Sequence, residues 1–288
     1  MGNAVTGRRP CTRRADGAEP ARACPSGACP SGACPSGAAQ TGHPVADAPA
    51  THDATTLFCI PHAGGSAAYY ARLGQCLPET VAFRPLELPG RGRRHREAPH
   101  TSMEALTHDL FRNIQPVAQT APYALFGHSM GALLALLCAA RARESGMPLP
   151  RALFISAASP PGCRERPPVP PVASLSPRKL WECVVGIGGV PQGIAASDEF
   201  RRYLEPVLRA DFTALEAWLP APMEPLPVPV TVFRGHRDVI TDDMARQWQR
   251  LTTMELRVRI FQGNHFYLQD NWEGLASCIA HACGAAAA

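Results

Sequence analysis

The sequence predicts an α/β fold, with a mostly parallel central sheet, helices on both faces and a helical insertion as a lid. Three observations predict it. Short apolar runs alternate with longer helical patterns from Thr55 almost to the end of the chain. The early runs stop at Pro or Gly, as buried strands do on entering loops. One interval, about 160–222, breaks the alternation with paired prolines and helical pieces but no strong strand. Lids above a sheet are commonly built this way.

The elements follow in order. Thr56-Leu57-Phe58-Cys59-Ile60 is a short apolar run closed by Pro61 and reads as a buried strand. Residues 67–77 read as a helix, and 81–88 as a second strand closed by Pro89-Gly90. A helix is expected over 103–117, with Met103, Leu106, Leu110 and Ile114 near helical spacing and Pro116 at its end. Tyr123-Ala124-Leu125-Phe126 is a third strand, followed by a strongly apolar helix over 131–143. Residues 152–155 form a fourth strand. Within the insertion, helical pieces are expected around 177–185 and 198–218. Strands at 228–233 and 256–261, with helices at 241–252 and 271–283, complete the body.

Composition divides the chain before chemistry is considered. Its 288 residues are 45% hydrophobic and 18% charged, enough for a large core. Residues 1–54 differ, because Ala-Cys-Pro-Ser-Gly repeats three times from Ala23 to Gly37 and large apolar residues are almost absent. Such a segment cannot bury enough surface to offset its ordering entropy, so it is expected to be a disordered, low-complexity extension. The C-x4-C-x4-C spacing, with His43 and His52 downstream, offers zinc-ligand residue types, but a structural zinc site needs a scaffold to aim its ligands, so a repeat-expanded linker is expected instead. No apolar stretch follows the early arginines, so a secretory signal is not expected. Residues 55–288 form the expected catalytic domain, with seven cysteines read as free thiols in a cytoplasmic protein. A net charge of +4 gives no case for nucleic acid. The longest apolar run, 132–140, falls far short of the ~20 residues of a membrane span.

Gly127-His128-Ser129-Met130-Gly131 matches G-x-S-x-G, a pattern expected about 0.09 times by chance in this composition. Its setting is more specific than its letters. It follows a strand and opens a helix, as a nucleophile elbow requires, and the flanking glycines let the backbones approach. Ser129 would project from the carboxyl end of its strand, where α/β sheets place ligands. A serine hydroxyl needs a base. His265 follows the last strand in Gln262-Gly263-Asn264-His265-Phe266, and Asp238 follows the preceding strand in Gly235-His236-Arg237-Asp238. The order Ser…Asp…His supports this triad. Asp242 and Asp243 are rivals, but Thr241-Asp242 reads as a helix start. The oxyanion donors expected are the Met130 N–H and, from Pro61-His62-Ala63-Gly64-Gly65-Ser66, the Ala63 N–H. No phosphate-cradling pattern occurs in that loop.

Taken together, these residues resemble the type II thioesterases of polyketide and nonribosomal peptide synthesis and the related medium-chain fatty-acyl thioesterase. The resemblance rests on residues 57–66, Leu88-Pro89-Gly90-Arg91-Gly92, Phe126–Ala132, Gly188-Gly189-Val190-Pro191, Arg209-Ala210-Asp211-Phe212 and Gly263–Leu268, in family order over roughly 55–283. Asn264 departs from the usual Gly, and Asn tolerates left-handed geometry. The resemblance implies an α/β-hydrolase with a helical lid. It implies a serine thioesterase that removes acyl groups from the phosphopantetheine thiol of acyl or peptidyl carrier proteins, clearing mis-primed synthases. No cofactor or metal is needed for that chemistry, and a monomer is expected. Trp181, Phe212 and Trp218 in the lid are candidates to line an acyl channel, although apolar residues at helical spacing also serve as plain packing. Arg91, Arg93, Arg94 and Arg96 form a basic cluster that either meets an acidic carrier protein or is a solvated loop. A general carboxylesterase or an acyltransferase with the same triad stays open on fold alone.

Overall fold

The computed structural model describes residues 54–163, 170–190 and 192–284. The expectations for the N-terminal extension therefore lie outside the described residues. Ala54 is the exception; it is buried and belongs with the body.

Six strands form one sheet in the order β2-β1-β3-β4-β5-β6, and every neighbouring pair is parallel. β1 (Thr55–Ile60) is buried along its whole length, as a strand covered on both faces must be. A short 3-10 turn leads into α1 (Ala71–Cys76), and β2 (Val81–Pro85) follows. β2 is shorter than expected. Leu86 still donates to the Cys59 carbonyl at 2.9 Å, and the chain then leaves the sheet edge with Leu86 and Leu88 turned into the core. α2 (Met103–Ala118) starts at Ser102, whose hydroxyl accepts the Ala105 N–H, and buries the predicted stripe of Met103, Leu106, Leu110 and Ile114. β3 (Tyr123–His128) runs directly into α3 (Met130–Glu144), which is buried on almost every side. β4 (Leu153–Ser156) completes the middle of the sheet.

Between β4 and β5 lies the helical insertion. Its described residues hold α4 (Pro177–Gly186), α5 (Gln192–Ala195) and α6 (Asp198–Ala217), with no strand. It has a small core of its own, made by Leu180, Val184, Val190, Leu204, Val207 and Leu208. β5 (Val230–Gly235), α7 (Asp242–Arg246), β6 (Leu256–Phe261) and α8 (Trp272–Ala282) end the fold. The expected helix over 241–252 stops early and continues as a 3-10 turn. There the buried Trp248 ring is drawn inward, its N–H donating to the Ala158 carbonyl at 2.8 Å.

The chain winds outward in both directions from β1. The strand order reverses between β1 and β3, so the crevice at their carboxyl ends is where ligands sit in such sheets. Both loops singled out from the sequence, 61–66 and 127–131, emerge there. α2 and α3 cover one face of the sheet and α1 and α8 the other. All seven described cysteines are free. Among the described residues no helix is long and apolar enough to cross a membrane.

An aromatic layer roofs that crevice. The His62 ring lies edge-on to Tyr69 (4.6 Å between centroids), Phe266 (4.9 Å) and His128 (5.7 Å). His62 and His128 are buried, and His62 Nδ1 and His128 Nε2 have no hydrogen-bond partner among the described residues. Burial, with the neighbouring His265 adding to it, pushes His62 down to about 3 and His128 well below its ordinary value. Both imidazoles are thus neutral in the fold. As pH falls below about 6.5, the unfolded chain takes up these protons first, so stability is complete above that pH and is lost toward the folded values. Each histidine contributes a slope approaching about 1.4 kcal/mol per pH unit. Urea unfolding between pH 6.5 and 5 should show this loss. His62→Phe should remove about one proton from the slope; an unchanged slope would refute the burial account.

Candidate active site

Ser129 occupies the turn between β3 and α3 with a positive φ of 53°. Only Ala157 shares that property among the described non-glycine residues. The turn leaves no room beside it. A Cβ on Gly127 would sit 2.0 Å from the Gly131 carbonyl oxygen, and one on Gly131 would sit 2.1 Å from the Ile60 oxygen. Those contacts give the two flanking glycines of G-x-S-x-G their physical reason. The Ser129 N–H donates to the Ser156 carbonyl at 2.8 Å, tying the elbow to β4. Met130 is the first residue of α3, and the N–H groups of a first helical turn have no partner within the helix.

The loop after β1 forms a tight turn. Gly65 N–H donates to the His62 carbonyl at 2.9 Å, and Gly64 holds a φ of 77°, the left-handed third position of a type II turn. Ala63 is half-buried against the core at this turn, close to the start of α3 that Ile60 and Pro61 touch.

Asp238 and His265 come together as the sequence predicts. His265 Nδ1 lies 2.9 Å from Asp238 Oδ1, and the Asp238 side chain has no exposed surface. Oδ1 also accepts the Ile240 N–H at 3.3 Å. A carboxylate can only accept, so Nδ1 is the donor in this pair, which in the neutral ring makes Nε2 the acceptor. The His265 ring centroid is 5.2 Å from that of His128, the residue before Ser129, which sets His265 beside the elbow. His128 is itself held from below, its Nδ1 2.9 Å from Ser156 Oγ, which lies 2.7 Å from the Tyr267 hydroxyl. The rival Asp242 instead pairs with Arg234 at 2.7 Å at the start of α7, where Thr241 caps the helix. Asn264 is not left-handed; the positive φ falls on Gly263 (126°). The Asn264 side chain accepts the Phe266 N–H at 3.0 Å and so stiffens the histidine loop.

The insertion sits on both loops. A Cβ on Gly64 would meet Leu208 at 2.5 Å, and ones on Gly188 and Gly189 would meet Asn264 and Phe266 at 3.4 Å. Between insertion and core lies a cavity of about 680 Å³, lined among others by Leu133, Phe212, Leu215, Trp218, Val239 and Ile240. Leu133 is one turn along α3 from Ser129, and Val239 and Ile240 follow Asp238 directly. Phe212 and Trp218 both line this cavity. Trp181 does not. It packs inside the insertion, edge-on to Phe200 at 6.1 Å, its N–H donating to the Ala195 carbonyl. A larger cavity of about 1000 Å³ lies beyond Trp218, along the carboxyl-terminal part of α3, away from these loops.

The basic cluster is not one solvated run of charge. Arg91 is buried against Asp211, and Arg94 pairs with Glu97 and Asp109, which leaves only Arg93 and Arg96 exposed and without an ion pair among the described residues. Arg91–Asp211 and the neutral pair His62 and His128 are the features that sequence reasoning missed. Both residues of the ion pair stand in motifs noticed separately, but nothing local links positions 120 residues apart.

Residues 55–283 match the thioesterase domain family. The chain is 31% identical over 236 residues to the thioesterase PikA5 of Streptomyces venezuelae, covering 81% of this chain and 82% of that protein. Its fold is similar to the RedJ thioesterase from the prodiginine pathway of Streptomyces coelicolor, with a TM-score of 0.72, 34% identity, and coverage of 83% of this chain and 91% of that one. The type II thioesterase BorB of the borrelidin cluster gives 0.75 and 31%, over 82% and 95%. With that match across nearly the whole described body, on an α/β-hydrolase sheet, the chain belongs to the thioesterase family, as a hydrolase of thioester bonds akin to the type II enzymes of polyketide and nonribosomal peptide pathways.

Proposed function

We propose that the chain hydrolyses acyl groups from the phosphopantetheine thiol of acyl or peptidyl carrier proteins, clearing mis-primed synthases, with Ser129, His265 and Asp238 as its catalytic residues. The observation that carries this reading is the strained Ser129 elbow, set beside a histidine whose Nδ1 is held by a buried carboxylate at 2.9 Å. Residues 55–288 carry the activity, and the insertion is its lid.

The steps follow from the site. Ser129 Oγ attacks the thioester carbonyl carbon while His265 Nε2 takes its proton. The carbonyl oxygen becomes an oxyanion, held by the Met130 and Ala63 N–H groups. Asp238 stabilises the imidazolium. The C–S bond then breaks, His265 returns the proton to the departing thiol sulfur, and an acyl-serine remains. Water, deprotonated by His265, attacks the acyl carbon, and the Ser129 oxygen leaves with that proton. The neutral state of His62 and His128 helps here, because a positive charge on either would oppose the charge His265 must gain. The acyl chain occupies the cavity between lid and core, with Phe212 and Trp218 on its walls.

Mass spectrometry after mixing with acylated carrier proteins should detect an acyl adduct on Ser129, and Ser129→Ala should lower kcat by about 10⁴-fold or more. Undiminished hydrolysis by that variant would refute the nucleophile assignment, and a strong preference for p-nitrophenyl esters over every thioester would favour a general esterase. Val239 is exposed and lines the cavity, so Val239→Trp narrows it at little cost to folding. The variant should lower kcat/KM for octanoyl relative to acetyl substrates by about tenfold; an unchanged ratio would remove the cavity as the acyl site. Deleting residues 1–53 should leave kcat/KM unchanged, and a folded truncation that has lost activity would show that the extension contributes.

A further inference from the structure

A buried ion pair joins the lid to the turn that carries Ala63. Asp211, on α6, receives a two-pronged contact from Arg91, with Nη1 2.6 Å from Oδ2 and Nη2 2.8 Å from Oδ1. The two side chains are 2% and 0% exposed. Arg91 also reaches the Gly65 and Pro89 carbonyls, each at 3.4 Å. Asp211 Oδ2 then accepts the Gly64 N–H at 2.7 Å. The helix that supplies the carboxylate rests on that same glycine through Leu204 and Leu208.

A buried ion pair is weak evidence of stabilisation, because the desolvation of two charges can exceed their attraction. The informative bond is the one leaving the pair. It fixes the plane of the Ala63–Gly64 peptide, while the Gly65 N–H to His62 carbonyl bond fixes the preceding His62–Ala63 plane, from which the Ala63 N–H projects. The two planes share the Ala63 Cα, so freedom in one is freedom in the other. Type I and type II turns differ chiefly by a flip of this central peptide, and the Asp211 contact selects one orientation.

We propose that Asp211, oriented by Arg91, is a positioning residue for the oxyanion site: it holds the 62–65 turn so that the Ala63 N–H faces the developing charge, and it does so only while α6 is seated. The inference rests on the Ser129 mechanism above. It makes oxyanion stabilisation a property of the closed lid and not of the body alone.

Two double variants isolate the contact. Arg91→Met/Asp211→Leu replaces the pair by apolar groups of similar volume, an exchange that buried pairs often tolerate, and leaves the Gly64 N–H without its acceptor. Arg91→Met/Asp211→Asn also removes both charges but keeps an acceptor oxygen. With thermal unfolding near wild type, the Leu form should show kcat about 10- to 100-fold lower and KM within about twofold, since removing a full oxyanion donor costs about 10²–10³-fold. Affinity for an acyl trifluoromethyl ketone, which forms a tetrahedral adduct, should fall by the same factor, whereas affinity for an uncleavable thioether analogue should not change. The Asn form should recover most of both losses. Equal kcat in the two folded double variants would overturn the proposal, as would a loss explained by a smaller fraction of sites titrated with fluorophosphonate. Arg91→Lys, which keeps the charge but not the fork, gives a further reading. It should lower kcat and ketone affinity together by about threefold to tenfold, and wild-type values would count against the proposal. Ser129→Ala in the same assays separates the two readings, because its retained activity would remove the mechanism itself, whatever the pair does.

Discussion

The active edge of this protein depends on one backbone constraint: Ser129 is held at a positive φ in a turn with no space for a side chain on either neighbour. With φ 53° and ψ −116°, Ser129 adopts a sparsely populated conformation that costs an L-residue about 1–3 kcal/mol. It persists only where the surroundings over-determine it, and here they do. The Ser129 N–H is bonded to β4, Gly127 packs on the first turn of α3, and Gly131 packs on the end of β1. Relaxing Ser129 would therefore move three elements of the core together. α3 is buried on nearly all sides and has nowhere to go. The result is a hydroxyl at the point where the strand order reverses, above a fresh helix N-terminus.

That geometry would be of little use in an unfavourable field. The residues beside Ser129 and Ala63 are two histidines, and either could have charged the site. Burial in an aromatic layer keeps both neutral. The insertion brings in a carboxylate, Asp211, but the Arg91 guanidinium of the body neutralises it at 2.6 and 2.8 Å. His265 is thus the group whose charge changes in the proposed cycle, with the buried Asp238 carboxylate directly behind it. The fold concentrates an electrostatic response on one ring by silencing that ring's neighbours.

Much of this is legible in the chain, and the boundary of legibility has a physical cause. The elbow is written in five consecutive residues, and its strand–turn–helix context is equally local. Asp238 and His265 are readable because each follows a predicted strand, and parallel strands deliver their carboxyl ends to one edge. Arg91 is misleading for the opposite reason. In sequence it stands among arginines and looks solvated, whereas its partner lies on a helix far along the chain. Arg94 deceives in the same way, through Asp109. Trp181 and Phe212 have the same helical, apolar character in sequence, yet one packs inside the insertion and the other reaches the cavity. Periodicity shows that a face is buried, not what buries it.

The insertion raises the question of why a polar clamp should fasten it at all. Among the described residues its core is six buried aliphatic side chains with Trp181 and Phe200 packed against them, which is small enough that contacts with the body matter to where it rests. Apolar contacts such as Leu208 on Gly64 favour closure but tolerate sliding, because the hydrophobic effect has no direction. A planar guanidinium meeting a carboxylate at two points does not tolerate it. One slipped turn of α6, about 5.4 Å, would bury both charges unpaired and leave the Gly64 N–H without its acceptor. The pair therefore makes wrong seatings far worse than the right one, whatever it adds to total stability. In the proposed lid, such a clamp sets the seated arrangement sharply apart from any slipped one, and it is the seated arrangement that orients the turn beneath it.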